Sequence, residues 1–158
     1  GLSRQLPVEI VGVCRTYGPR MQTDEGYRLP ELVEAVLAQQ DYELPYSEDA
    51  RLSLCYVKDM VDGLVRAMEH SLEFRVLNLG SDQEVRLGTV VDRLLQLTGS
   101  TARIRFAAHG ARQVAPVPNI DKARQLLHWL PLTRLDDGLQ QMVEYARSTR
   151  QEFHAFMK

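Results

Sequence analysis

Apolar residues recur along this chain with two periods, and segments of the two kinds alternate. Val8 to Cys14 is a short β-branched run, which predicts a strand covered on both faces. After a Gly18-Pro19 turn, Leu29, Leu32, Val33, Val36 and Leu37 share one face of a helix expected over Leu29 to Ala38. Leu52 to Val57 reads as a second strand. Asp59 then reads as the cap of a helix from Met60 to His70, with Val61, Leu64, Val65 and Met68 turned inward. Phe74 to Leu79 alternates as a strand and stops at Gly80. Val90, Val91, Leu94, Leu95 and Leu97 mark a helix from Leu87 to Thr98 that ends at Gly99. Ala102 to Phe106 alternates as a half-exposed strand, and Ala107 to Pro118 reads as loop. Asn119 is placed to cap a short helix through Leu127, closed by Trp129 and Pro131. A last helix, Asp136 to Phe156, carries Leu139, Met142, Val143 and Ala146. The order is mixed α/β, yet the strands are too few and too scattered for a complete doubly wound sheet.

The chain has 158 residues, 44% of them hydrophobic, enough for one domain with a real core. A net charge of −2 argues against a nucleic-acid binder, whose affinity rests on many Lys and Arg contacts to phosphate. No apolar run is long enough to span a bilayer. Gly1 to Gln5 lack the layout of a secretory signal, so the expected setting is cytoplasmic. Cys14 and Cys55 have no metal-ligand spacing and read as small buried hydrophobes; His70, His109, His128 and His154 form no ligand pair. No metal site is expected.

Several motifs, taken in order, resemble one family. Thr16-Tyr17-Gly18-Pro19-Arg20-Met21 is followed by Cys55-Tyr56-Val57-Lys58-Asp59-Met60-Val61-Asp62-Gly63-Leu64. Leu77-Asn78-Leu79-Gly80, Ile120-Asp121-Lys122-Ala123 with Trp129, and Leu135-Asp136-Asp137-Gly138-Leu139 complete the series. Together they resemble the second half of extended short-chain dehydrogenase/reductases, the NAD-dependent epimerase/dehydratase family. Their wording is most like that of UDP-glucuronate decarboxylases. The resemblance implies an incomplete Rossmann-type α/β chain of a few short strands and about five helices. Residues 1–158 would form a single domain, equivalent to the C-terminal, substrate-binding half.

The resemblance also implies a chemistry: NAD takes a hydride from the sugar C4, and a Tyr-x-x-x-Lys pair acts as base because the ammonium lowers the phenol pKa. Neither that pair nor a Gly-rich dinucleotide turn is present. The lysines are Lys58, Lys122 and Lys158, preceded four places earlier by Leu54, Pro118 and His154, and no two glycines are spaced GxG. The chain is expected to begin inside the helix after the catalytic pair, with Ser3 to Gln5 on its last turn. No catalytic residue is therefore assigned, and no tight binding of NAD to this chain alone is expected.

Of the family's cofactor contacts, Thr16, Tyr17 and Gln22 correspond to the nicotinamide end. The family grips the diphosphate of a UDP-sugar with two Asn and two Arg, at positions that here hold Arg15, Glu31, Leu52 and Pro116. Leu and Pro donate no charged hydrogen bond, and a carboxylate at Glu31 repels a diphosphate. Arg15, Arg20, Arg51 and Arg112 are the cations left to take over that grip. Two readings follow: the substrate lobe of a nucleotide-sugar enzyme, inactive as this chain, or a non-catalytic descendant (a pseudoenzyme) used in protein interaction. Phe153, Phe156 and Met157 would add an apolar patch inviting a partner, and a homodimer is expected to cover exposed edges.

Overall fold

The computed structural model describes residues 10–22, 28–69, 76–108 and 117–156, with side chains described as far as residue 152. Among them are eight short strands and five helices: β1 (Ile10–Val13), β2 (Thr16–Tyr17), α1 (Leu29–Leu37), β3 (Tyr42–Leu44), β4 (Arg51–Ser53) and β5 (Cys55–Tyr56). Then follow α2 (Val57–Glu69), β6 (Val76–Leu79), β7 (Glu84–Arg86), α3 (Leu87–Thr98), β8 (Ile104–Phe106), α4 (Asp121–Leu127) and α5 (Leu135–Phe156). The strands pair only in twos: β1 with β6, β2 with β5 and β3 with β8 in parallel, and β4 with β7 antiparallel. The expected incomplete α/β chain is what the structure has.

Two cores hold it together. In the larger, Leu32, Val33 and Val36 of α1 meet Val90, Val91 and Leu94 of α3 and Leu139, Met142 and Val143 of α5. In the smaller, Met60 and Ala67 of α2 pack with Leu77 and Leu79 of β6 and with Ile120, Leu127 and Trp129. Each fully buried Leu contributes about 1.5–3 kcal/mol of transfer free energy. The helices α1, α3 and α5 lie where their periodicity placed them. Gly99 ends α3 in the left-handed region at φ 65°, with the Ser100 N–H returned to the Leu95 carbonyl at 3.1 Å. Asn119 is not the cap expected of it: Ile120 holds that position without a side-chain cap bond, and Asn119 Oδ1 accepts the Asp121 N–H at 2.9 Å in a turn one residue earlier.

Four expectations are corrected. The strand expected over Val8 to Cys14 is described from Ile10 to Val13; Ile10 and Val13 are 56% and 55% exposed, so it is not covered on both faces. Among the described residues it pairs only with β6, and only its Val11 side meets the α2 core. The strand expected over Leu52 to Val57 is two strands, because residues 51–53 pair with β7 while residues 55–56 pair with β2. The helix after it begins at Val57, so Asp59 lies inside its first turn and is not its cap.

That helix also faces the other way from expectation. It buries Met60, Gly63 and Ala67, with Leu64 partly covered, while Val61, Val65 and Met68 are exposed at 52%, 39% and 78%. Close approach decided this. A Cβ on Gly63 would stand 2.9 Å from Leu79 Cδ1 and 2.9 Å from the Trp129 indole, so the small-residue stripe is the one that fits against the core. Strands β3 and β7 have no apolar alternation strong enough to announce them; they exist because β8 and β4 offer edges to pair with.

Candidate functional site

The motif segments converge where β2 lies parallel to β5. Thr16 is opposite Cys55 and Tyr17 opposite Tyr56, and the Cys55 N–H reaches the Arg15 carbonyl at 2.9 Å. Tyr17 is buried. Its ring meets Tyr56 edge to face at 5.6 Å, and its hydroxyl donates to the Leu135 carbonyl at 3.3 Å. Gly138 at the start of α5 is required there, because a Cβ would run into that hydroxyl oxygen. Gly18 has φ 148° and admits no Cβ either, since Val57 Cγ1 would be 2.7 Å away.

Burial governs titration around this junction. It pushes the Tyr17 phenol up, helped by the charges of Tyr56, Cys55, Asp59 and Asp136. Burial likewise pushes the Cys55 thiol up to about 12, with Asp59 and Cys14 adding to it, and raises Cys14 in the same direction. Cys55 is therefore a neutral, inert thiol, and it is buried as the sequence led one to expect.

The other predicted site residues are more dispersed. Thr16 is half-buried and its hydroxyl donates to the Cys14 carbonyl at 3.0 Å. With Tyr17 also donating inside the chain, Gln22 is the exposed side chain of the three cofactor positions. Arg15 is half-buried; Arg20 is exposed, in the left-handed region at φ 66°. Glu31 sits in the first turn of α1, half-buried, with Oε2 shut from solvent and not hydrogen-bonded.

Arg51 is exposed and pairs with Glu84 at 3.3 Å. The β4–β7 ladder runs without a bulge, so alternation sends Arg51 outward and Leu52, fully buried, into the core. Arg112 and Pro116 lie outside the described residues, as do His70, His109 and the side chains beyond residue 152. Among the described residues no group of three or more His, Cys, Asp or Glu is placed to hold a metal, and no helix is long and apolar enough to cross a membrane.

Two cavities border this region. One, of about 180 Å³, lies between the Gly18–Met21 turn, α1 and α5, and has Arg20, Val33, Met142 and Tyr145 in its wall. The other, of about 260 Å³, is walled by Tyr56, Ser81, Val85, Thr133 and Arg134. Asp59 has a role that periodicity could not announce. Its Oδ2 accepts the Thr133 N–H at 2.9 Å and its carbonyl accepts the Trp129 indole N–H at 2.9 Å, fastening the C-terminal segment to α2. The distance of Asp59 from these partners along the chain is what hid it.

Comparison with known proteins agrees with this geometry. Residues 3–80 match the NAD dependent epimerase/dehydratase family. UDP-glucuronic acid decarboxylase 3 of Arabidopsis thaliana is 30% identical over 142 residues, covering 88% of this chain and 41% of the relative. UDP-N-acetyl-alpha-D-glucosaminuronate decarboxylase of Bacillus cytotoxicus is 29% identical over 153 residues, covering 90% and 47%. The chain thus spans less than half the length of either. In fold it is similar to UDP-glucose 4-epimerase of Thermotoga maritima, with a TM-score of 0.79 at 23% identity, over 90% of this chain and 46% of that one. UDP-glucuronic acid 4-epimerase of Bacillus cereus, solved with UDP-glucuronic acid and NAD, gives 0.76 at 22%, over 91% and 46%. The segment that builds the β2–β5 junction, from the first motif through β6, is thus an NAD dependent epimerase/dehydratase family domain segment, and the chain carries that family's fold.

Proposed function

We propose that this chain is the nucleotide-sugar lobe, equivalent to the C-terminal half, of an NAD-dependent decarboxylase, epimerase or dehydratase, and that it does not turn over substrate alone. The observation that carries the reading is the β2–β5 junction. The Thr16–Met21 turn is pinned against Cys55 and Tyr56, and those are the two segments whose wording marks the family. The relatives supply the substrate class, since those matched in sequence are named as decarboxylases of UDP-glucuronic acid or its N-acetylamino counterpart. NAD would bring the hydride acceptor. In this chain Thr16, Tyr17 and Gln22 would border it, while the pyrophosphate turn and the catalytic base would come from a dinucleotide-binding half.

The second reading, a lobe kept for protein interaction, is favoured by Leu52 and Glu31. Leu52 is locked in the core, and the closed-off Oε2 of Glu31 sits where a diphosphate would be repelled. Two lost Arg contacts forfeit about 1.5–3 kcal/mol each. Calorimetric titration of the chain with UDP-glucuronate, UDP-xylose and UDP separates the readings. Micromolar binding supports the nucleotide-sugar lobe and assigns the grip to Arg15, Arg20, Arg51 or Arg112; absence of binding, in the chain and in its complex with a dinucleotide-binding half, leaves the interaction role.

A further inference from the structure

The larger cavity, of about 260 Å³, has a cation in its wall and no carboxylate. Its polar walls are Ser81, Gln83, Thr133 and Arg134, and Leu54 and Val85 are among the apolar ones. The smaller cavity differs, since there Arg20 shares the wall with Glu34. The acids that neighbour the larger cavity are engaged elsewhere. Asp82 accepts from Arg124 at 2.8 Å and from Gln83 at 3.0 Å, and Glu84 pairs with Arg51 at 3.3 Å. Asp136 pairs with Arg93 at 3.4 Å, and Asp59 accepts the Thr133 N–H at 2.9 Å. Asp137 is exposed on the first turn of α5 and is not part of the wall. Among the described residues no hydrogen bond or ion pair engages the Arg134 guanidinium.

Two buried hydroxyls border the same space. Tyr56 is 4% exposed, yet its hydroxyl has no hydrogen-bond partner among the described residues and is not shut from solvent as Tyr42 Oη is. Ser81 is 7% exposed; its Oγ accepts the Gln83 N–H at 3.1 Å, and its own proton has no acceptor among the described residues. Buried polar groups are nearly always matched, so unmatched donors beside a cation mark a place for an acceptor. Burial, with the Asp59 charge adding to it, raises the Tyr56 phenol and keeps it a donor.

We propose that this cavity binds a small carboxylate with a compact apolar body, the oxygens taken by Arg134 and the Tyr56 and Ser81 hydroxyls and the body set against Leu54, Val85 and Leu132. A guanidinium meets a carboxylate through two parallel hydrogen bonds and cancels its single charge. A phosphate dianion would keep a second charge against apolar walls, with no second cation in the wall to offset it. The volume is below the range of about 300–1,000 Å³ that suits drug-sized ligands, so the ligand is smaller than those. The site stands apart from the nucleotide-sugar reading but shares a wall with the β2–β5 junction. Leu135 lines the cavity and carries the carbonyl that receives the Tyr17 hydroxyl.

The test titrates phenylacetate, phenylacetamide and phenyl phosphate into the isotope-labelled full chain and follows amide chemical shifts. Saturable shifts at millimolar phenylacetate are expected on Leu54, Val85, Thr133 and Leu135, with the amide and the phosphate each at least about tenfold weaker. Arg134→Gln should weaken phenylacetate binding at least about tenfold, and Tyr56→Phe about threefold or more. Arg134 is exposed and Tyr56→Phe keeps the ring, so both variants should hold the parent circular dichroism spectrum and melting temperature. Arg105→Gln, at an exposed strand position outside the wall, should leave binding unchanged. Absence of saturation, binding by Arg134→Gln equal to the parent's, or shifts gathered elsewhere on the surface overturns the proposal. Tighter binding of phenyl phosphate than of phenylacetate overturns the choice of carboxylate. Should Tyr56→Phe fail to fold, Arg134→Gln alone decides.

Discussion

The indole N–H of Trp129 donates to the main-chain carbonyl of Asp59 at 2.9 Å across a separation of 70 residues. The same ring fills the space a side chain on Gly63 would need. This contact fixes which face of α2 turns inward, and with it which apolar residues are left outside.

Gly63→Ala tests that packing. Alanine is favoured over glycine in a helix by about 1 kcal/mol, but its Cβ would meet Leu79 and Trp129 at 2.9 Å, and overpacking costs about 1–3 kcal/mol. Net destabilisation of up to about 2 kcal/mol is expected in urea unfolding. A variant as stable as the parent or more so would show that the ring yields freely.

Asp59 predicts an ordered pair of effects. Asp59→Asn keeps an oxygen able to accept the Thr133 N–H and should be mild. Asp59→Ala strands that donor and should cost about 1–3 kcal/mol. Equal losses in the two variants would mean that charge, not the hydrogen bond, is what matters there.

Cys55 makes stability depend on alkaline pH. Its thiol is raised by burial from 9.0 to about 12 when folded, so between those values the unfolded chain has released a proton that the folded chain keeps. Stability is therefore fully present below pH 9 and declines as pH rises toward 12. Tyr17 and Tyr56 are raised too and act in the same direction. Cys55→Ala should flatten the decline of the urea midpoint across that window without abolishing it; an unchanged slope would remove Cys55 from the account.

Leu52→Arg replaces a core residue with the cation that the family resemblance places there. Because Leu52 is fully buried opposite Val85, the charge has no water and no paired carboxylate, and a loss above about 3 kcal/mol is expected. Arg51→Ala, which breaks only an exposed pair with Glu84, should change stability by less than about 1 kcal/mol. Recovery of UDP-glucuronate binding in a stable Leu52→Arg variant would show instead that the diphosphate pocket is intact around this position.

Much of the fold was legible in order and spacing. Helices α1, α3 and α5 are long enough that local periodicity, with Gly99 ending α3, places them unaided, and the polar turn at Asn119 marks where α4 starts. Strands β3 and β7 escaped notice because each is only three residues long and is stabilised by a partner far along the chain. The candidate site was legible as a set of motifs. Yet the inward turn of Leu52, the outward turn of Arg51 and the internal hydrogen bonds of Thr16 and Tyr17 emerged only from the paired strands.

Sequence alone determined the α/β class, a likeness to one family through the order of its motifs, and the helices whose apolar stripe is local, because such a stripe depends on residues a few positions apart. Tertiary structure decided which stripe of α2 is buried, that Asp59 serves Trp129 and Thr133, and that β1 lies parallel to β6. Those outcomes depend on how closely two distant segments can approach. Packing rewards a glycine opposite an indole over three larger side chains facing solvent, a preference that hydrophobicity along one helix does not contain.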